Sequence, residues 1–305
     1  MRDTFSRILY QAAKADPQIC IVVADISPAG SMNQYRQEFP DRFMNVGVAE
    51  QAMIGFCAGL AMRGMKPYAY TIATFALYRP FEQIRVDLCY QNLPVTVVGI
   101  GGGVVYSVLG GTHHAQEDIA IMSALPNMSI VAPCDPLEAE AATWVSAKHP
   151  GPLYLRLGKA GEPVLTANAP DKFEFGKARC IKAGSGTAVL SYGIITKLAL
   201  ELVAKIEQEQ GGQVAAYSIH TLKPLDREGI AKILLQYDRV IVVEEHSSQA
   251  GLAMQTKGLA FECGARCKLH TFSLQDEFIH FYGSHGDLLK QHGLHPELIY
   301  QKIYA

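Results

Sequence analysis

Ile19-Cys20-Ile21-Val22-Val23-Ala24-Asp25 is six apolar residues closed by an acid. A run this short, apolar on both alternating faces, suits a strand covered on both sides, as in a parallel sheet. Upstream, Phe5, Ile8, Leu9, Ala12 and Ala13 recur at helical spacing until Asp16-Pro17 breaks the pattern. Downstream, strand-like runs follow at 43–48, 67–72, 94–100, 128–132 and 153–157. Helical stretches separate them at about 50–63, 78–90, 115–124 and 136–147. This alternation predicts a doubly wound α/β domain over 1–157. Residues 158–177 carry Gly158, Gly161, Pro163, Asn168 and Pro170 without periodicity and read as a linker. A second α/β unit is expected over 178–305, with strands near 186–191, 214–218, 240–243 and 268–272 and helices near 196–210, 227–236 and 251–263.

Composition narrows the function classes. The 305 residues carry a net charge of −2, with 49 % hydrophobic and 18 % charged residues, which excludes a disordered chain. The 27 Lys and Arg against 29 Asp and Glu leave no overall basic field, which argues against nucleic acid as a main partner. No apolar run approaches the ~20 residues of a membrane span, and Met1-Arg2-Asp3-Thr4-Phe5-Ser6 lacks a secretory core. Seven scattered cysteines, with Cys263 and Cys267 the one close pair, fit a reducing compartment better than a disulfide framework or a zinc site. A cytoplasmic enzyme is the expectation.

Four stretches carry chemistry. Gly99-Ile100-Gly101-Gly102-Gly103 follows a strand, but the dinucleotide register G-x-G-x-x-G fails at Val104 and at Tyr106, and no P-loop is present. It reads as a loop at the carboxyl end of a strand, where open α/β sheets place ligands. His113-His114 with Glu117 is poor metal spacing, since adjacent residues do not share a helix face. A histidine at the mouth of a ligand loop is the better reading, with a helix cap or surface position as the alternative. Glu50 opens a stretch of mostly small and apolar residues. Favourable interaction with the helix dipole explains a carboxylate there, but burial demands a partner or a raised pKa, which makes it a candidate proton donor or acceptor. Phe75, Tyr78 and Phe81, at i, i+3 and i+6, form either a helix core stripe or the wall of a pocket for a flat heterocycle.

Taken in order, the motifs resemble those of transketolase-like thiamine diphosphate enzymes. Asn45-Val46-Gly47-Val48-Ala49-Glu50-Gln51 is similar to the segment around that family's catalytic glutamate. Ala24-Asp25, Phe39-Pro40-Asp41-Arg42-Phe43, Thr74-Phe75, Gly110-Gly111-Thr112-His113, Leu125-Pro126-Asn127-Met128 and Pro133-x-Asp135 continue the likeness. Lys223-Pro224-Leu225-Asp226 and Val242-Val243-Glu244-Glu245-His246 with Gly251 extend it into the second unit. The resemblance implies that Glu50 hydrogen-bonds N1′ of the cofactor aminopyrimidine, that Tyr78 stacks on that ring, and that Phe75 and Phe81 complete its pocket. It places Asp25 at the cofactor's edge and His113 facing the reacting carbonyl. Arg156 and Arg2 become candidates for a substrate phosphate, with a surface salt bridge the plain alternative for Arg156.

The departures are as informative. Transketolases carry a histidine and an aspartate where this chain has Gly101 and Leu109, and the deoxyxylulose phosphate synthases an arginine where glycine stands here. The loop 101–109 is therefore more apolar, and an unusual substrate is expected. The family's metal-binding G-D-G motif has no counterpart: the one Gly-Asp, Gly286-Asp287, is followed by Leu288. A partner chain is therefore expected to supply the diphosphate domain with its Mg2+ or Ca2+, in an α2β2 assembly of a split transketolase that transfers a two-carbon ketol unit. The alternatives are a 2-oxo-acid dehydrogenase β subunit, a deoxyxylulose phosphate synthase-like enzyme, or a non-catalytic homologue, which would have no reason to keep a buried carboxylate.

Overall fold

All five residues of Ile19–Val23 are buried, and the strand lies between two parallel neighbours. The computed structural model describes residues 1–26 and 32–304. Its strands are β1 (Ile19–Val23), β2 (Phe43–Asn45), β3 (Lys66–Ile72), β4 (Thr96–Ile100), β5 (Ser129–Val131), β6 (Leu153–Leu157), β7 (Arg179–Lys182), β8 (Thr187–Ser191), β9 (Ala215–Ser218), β10 (Thr221–Lys223), β11 (Arg239–Ser247) and β12 (Lys268–Leu274). Among the described residues they form a seven-stranded sheet, β10-β5-β6-β4-β3-β1-β2, and a five-stranded sheet, β12-β11-β8-β9-β7. Both are parallel except at one edge, where β10 runs against β5 and β7 against β9.

Both faces of the larger sheet are covered, which is why β1 is apolar throughout. Ile21 and Val23 pack with Phe5, Leu9 and Tyr35 on one face. Val22 packs with Met53, Ile54 and Leu88 on the other. Each such side chain contributes about 1.5–3 kcal/mol when fully buried. The order 2-1-3-4 reverses direction at β1, which opens a crevice at the carboxyl ends of β1 and β3.

The structure departs from the sequence expectations in specific places. The strand expected over 43–48 stops at Asn45, because Gly47 takes φ +71° to turn the chain into the helix Glu50–Met62. The helix expected over 78–90 begins at Ala73, is interrupted at Tyr78–Pro80, and winds as a π-helix over Ile84–Tyr90. Such π segments are frequent near functional sites. The helix Met32–Glu38 and the strands β7 and β10 lie outside the expected elements. Strand β10 is only three residues long, yet it fastens the second half of the chain to the first sheet by pairing Thr221 with Val131.

Residues 158–177 form neither helix nor strand, but they are anchored. Asp135 Oδ2 accepts the backbone N–H groups of Leu165 (2.8 Å) and Thr166 (2.7 Å) and the Thr166 hydroxyl (2.8 Å). Phe173 stacks on His220 at 4.0 Å.

Candidate active site

Asn45, the last residue of β2, organises the approach to Glu50. Its side-chain oxygen accepts the N–H of Asp25 (3.1 Å) and of Gly47 (3.0 Å), which ties the carboxyl ends of β1 and β2 together. Glu50 then opens its helix with a side chain only 5 % exposed. A carboxylate so buried requires a partner, and Arg79 Nη1 donates to Glu50 Oε1 at 2.8 Å. The two line an open concavity of about 510 Å³ with Val48, Ala49, Gln51 and Ala52.

Arg79 links Glu50 to the aromatic wall. Its guanidinium carbon lies 4.2 Å from the centroid of Phe75, within cation–π range. His113 meets Phe75 edge-on at 5.0 Å and Tyr106 at 5.9 Å. His113 Nδ1 pairs with the Thr112 hydroxyl at 2.9 Å, and Thr74 holds the same loop by donating to the Thr112 carbonyl at 2.9 Å. Burial, then the charges of His114 and Arg79, lower the His113 pKa, so its imidazole is neutral near pH 7.

The other candidates fall around this core. Asp25 is exposed at the end of β1, at φ +45°. Tyr78 donates its hydroxyl to Glu117 Oε2 at 2.8 Å, and its ring, like that of Phe81, packs against the buried core. Burial, with the Asp118 and Glu117 charges, pushes the Tyr78 phenol pKa up and keeps it protonated. Arg2 is half-buried, and its Nε has no hydrogen-bond partner among the described residues.

Arg156 is placed elsewhere. It is 4 % exposed, neither the surface pair nor an open anchor, and its Nε donates to Asp118 Oδ2 at 2.7 Å. Nη2 reaches the backbone oxygen of Glu245 at 3.1 Å, and Tyr154 donates to the same Asp118 oxygen at 2.7 Å. Burial alone would lower the guanidinium pKa, but Asp118, Tyr192 and Tyr154 outweigh it and hold the charge.

The glycine-rich loop lies against this network. A Cβ on Gly102 would run into Arg156, one on Gly103 into Glu245, and one on Gly101 into the Tyr106 ring. Glu245 Oε1 accepts the Val104 N–H at 2.6 Å. These glycines thus permit close side-chain approach, and Tyr106 fills the space that a side chain at 101 would need.

Glu117, weighed in the sequence only as a metal ligand, instead accepts the Tyr78 hydroxyl, and Arg79 and Tyr106 carry no local sequence signal and reach the site through tertiary contacts. The same holds for Lys159, whose ammonium sits 5.2 Å from the Tyr106 centroid. Another cavity, of about 470 Å³, lies between residues 160–165 and the C-terminal helices, and none of the sequence-predicted site residues lines it. Among the described residues no group of three or more His, Cys, Asp or Glu is placed to hold a metal ion, and no helix is long and apolar enough to cross a membrane.

Residues 1–161 match the transketolase pyrimidine-binding domain, and residues 176–299 the transketolase C-terminal domain. The chain is 34 % identical over 251 residues to a subunit of the apulose-4-phosphate transketolase of Phocaeicola vulgatus, covering 82 % of this chain and 80 % of that protein. It is 34 % identical over 269 residues to a subunit of the 6-deoxy-6-sulfo-D-fructose transketolase of a Clostridium species, covering 88 % and 81 %. Its fold superposes with TM-score 0.88 on a solved structure described as a split gene transketolase, an inactive beta4 tetramer, at 30 % identity, covering 99 % of this chain and 96 % of that one. With both domains matched in order, the chain belongs to the transketolase family.

Proposed function

We propose that this chain is the subunit of a split, thiamine diphosphate-dependent transketolase that brings the proton-handling glutamate, Glu50, to a shared active site. The observation that carries the reading is the convergence of Glu50, Phe75 and His113 at the carboxyl edge of β1–β3. A nearly buried carboxylate beside an aromatic ring suits an aminopyrimidine, which needs a hydrogen-bond partner at a ring nitrogen and a flat apolar face. The cofactor supplies the nucleophilic carbon and electron sink for a two-carbon ketol unit.

The chain's own residues do the rest. Glu50 exchanges a proton at its carboxylate oxygens, whose burial strengthens that contact. Phe75 fixes the orientation of the ring. His113, neutral and held at Nδ1 by Thr112, offers Nε2 to a substrate oxygen. Residues 1–157 form the pyrimidine-binding domain, 158–177 the linker and 178–305 the C-terminal domain. A second chain holds the diphosphate and its Mg2+ or Ca2+, in a cytoplasmic α2β2 assembly.

Both of those relatives bear names with an acidic substrate group, a phosphate and a sulfo group. A substrate with such a tail suits the cations beside Tyr106, Lys159 and Arg2, better than the sealed Arg156. The test is to purify the chain with a partner bearing the diphosphate domain, supply thiamine diphosphate and Mg2+, and assay ketol transfer. Glu50→Gln is expected to lower turnover by about 10²-fold or more. Equal turnover with glutamine at 50 overturns the reading.

A further inference from the structure

Arg79 makes two contacts at once. It donates to Glu50 Oε1 at 2.8 Å, and its planar guanidinium lies over the Phe75 ring at 4.2 Å. Those are the two contacts that the proposed function asks of the cofactor's pyrimidine: a nitrogen paired with the carboxylate and a flat π-system on the aromatic wall. Guanidinium is the side chain that best supplies both, being planar, rich in N–H donors and prone to stack on aromatic rings. Its side chain is 47 % exposed against 5 % for Glu50, so one partner is fixed in the protein and the other can swing into solvent. Pro80 follows directly, and the helix is interrupted there, between Ala73–Leu77 and Phe81–Gln83.

We propose that Arg79 is a built-in stand-in for the aminopyrimidine, holding Glu50 and Phe75 paired in the cofactor-free chain and leaving when the cofactor seats. The inference rests on the proposed function and adds to it a competitor for the cofactor that is part of the chain. The buried carboxylate is then never left unpaired before assembly, which would be costly. The cofactor must displace an ion pair, so Arg79 sets a threshold for loading. Because one partner is half-exposed, that threshold is small and screened by salt.

The experiment measures the dissociation constant of thiamine diphosphate with Mg2+, by calorimetry on the assembled two-chain complex, for wild type, Arg79→Gln and Arg79→Lys. Removing a half-exposed ion pair of ordinary strength predicts binding about two- to fivefold tighter in Arg79→Gln. Lysine keeps the charge but loses the planar stack, and it should fall between the two. Raising NaCl from about 0.05 to 0.5 M should shrink the wild-type-to-Gln ratio toward one, a change that a merely structural role for Arg79 does not produce. Circular dichroism melts confirm that each variant is folded. Unchanged or weaker binding in Arg79→Gln, or a ratio indifferent to salt, overturns the inference while leaving the functional reading intact. No cofactor binding by the wild-type complex overturns both.

Discussion

Two of the arginine–carboxylate pairs in this chain are nearly equal in length and do opposite work. Arg79–Glu50 measures 2.8 Å and Arg156–Asp118 measures 2.7 Å. Arg156 and Asp118 are 4 % and 0 % exposed, and the pair is enclosed by Tyr154, the Glu245 carbonyl and the glycine-rich loop. In the other pair only the carboxylate is buried, and its arginine faces solvent across an open concavity. Distance therefore does not separate a structural pair from an exchangeable one. Solvent access on one side, and the absence of a surrounding network among the described residues, mark Glu50 as the carboxylate free to change partners.

The largest expected effect tests the sealed pair. Arg156→Met should lower unfolding stability by about 3–5 kcal/mol, because it strands a buried Asp118. Adding Asp118→Leu should recover part of that loss, since replacing both charges of a buried pair is far cheaper than removing one. Denaturant unfolding of the three proteins checks this. A stable Arg156→Met protein with a selectively raised KM for an acidic substrate would instead make Arg156 the substrate anchor that the motif resemblance implies.

Next comes the loop packed against that network. Gly103→Ala should cost about 1–3 kcal/mol, because φ is +73° and a Cβ would run into Glu245. Gly111→Ala, at a glycine of ordinary φ with no atom near its would-be Cβ, is the matched control and should lie within about 0.5 kcal/mol of wild type. Equal melting temperatures for the two would break the claim that the 101–103 glycines exist for close packing.

A smaller effect on stability marks the open pair. Glu50→Gln should change stability by about 1 kcal/mol or less, as expected of a pair with a half-exposed partner. The same variant is expected to lower turnover by about 10²-fold or more. A melting temperature that falls as far as in Arg156→Met would mean that Glu50 is a structural residue.

How much of this was legible in the sequence follows from the range of each interaction. The apolar runs of β1, β4 and β6 report burial on both faces, which local composition records. The helix start at Glu50 was also readable, because a carboxylate ahead of a small, apolar stretch is a local signal, but the turn at Gly47 was not, since the strand-like run continues to Val48. Strand β10 was not, since three residues give no periodicity and its partner lies 90 positions earlier. Arg79 was hidden for a related reason. A buried glutamate signals that it needs a cation, but among several candidates only the fold chooses the one 29 residues away. Arg156 shows the converse: a local motif match suggests an anion site, while the fold pairs its guanidinium with Asp118, 38 residues before it.

At the seam between the two sheets a single proton is at stake. Glu245 Oε1 accepts the Val104 N–H at 2.6 Å and meets His285 Nε2 at 2.9 Å, so a C-terminal histidine helps hold the carboxylate that positions the glycine-rich loop. Burial opposes charge on His285, but Glu245 outweighs it and the net pKa is raised. A group whose pKa is higher folded than unfolded stabilises fully below its unfolded value, about 6.5, and loses that contribution as pH rises through the folded value. The stability difference between wild type and His285→Gln should therefore be largest at about pH 6 and below, and should shrink steadily by about pH 8.5. Thermal melts of both proteins at four pH values read the effect directly. A difference independent of pH would show that His285 acts on Glu245 as a neutral hydrogen-bond donor, and the loop would then be held equally well at either end of the range.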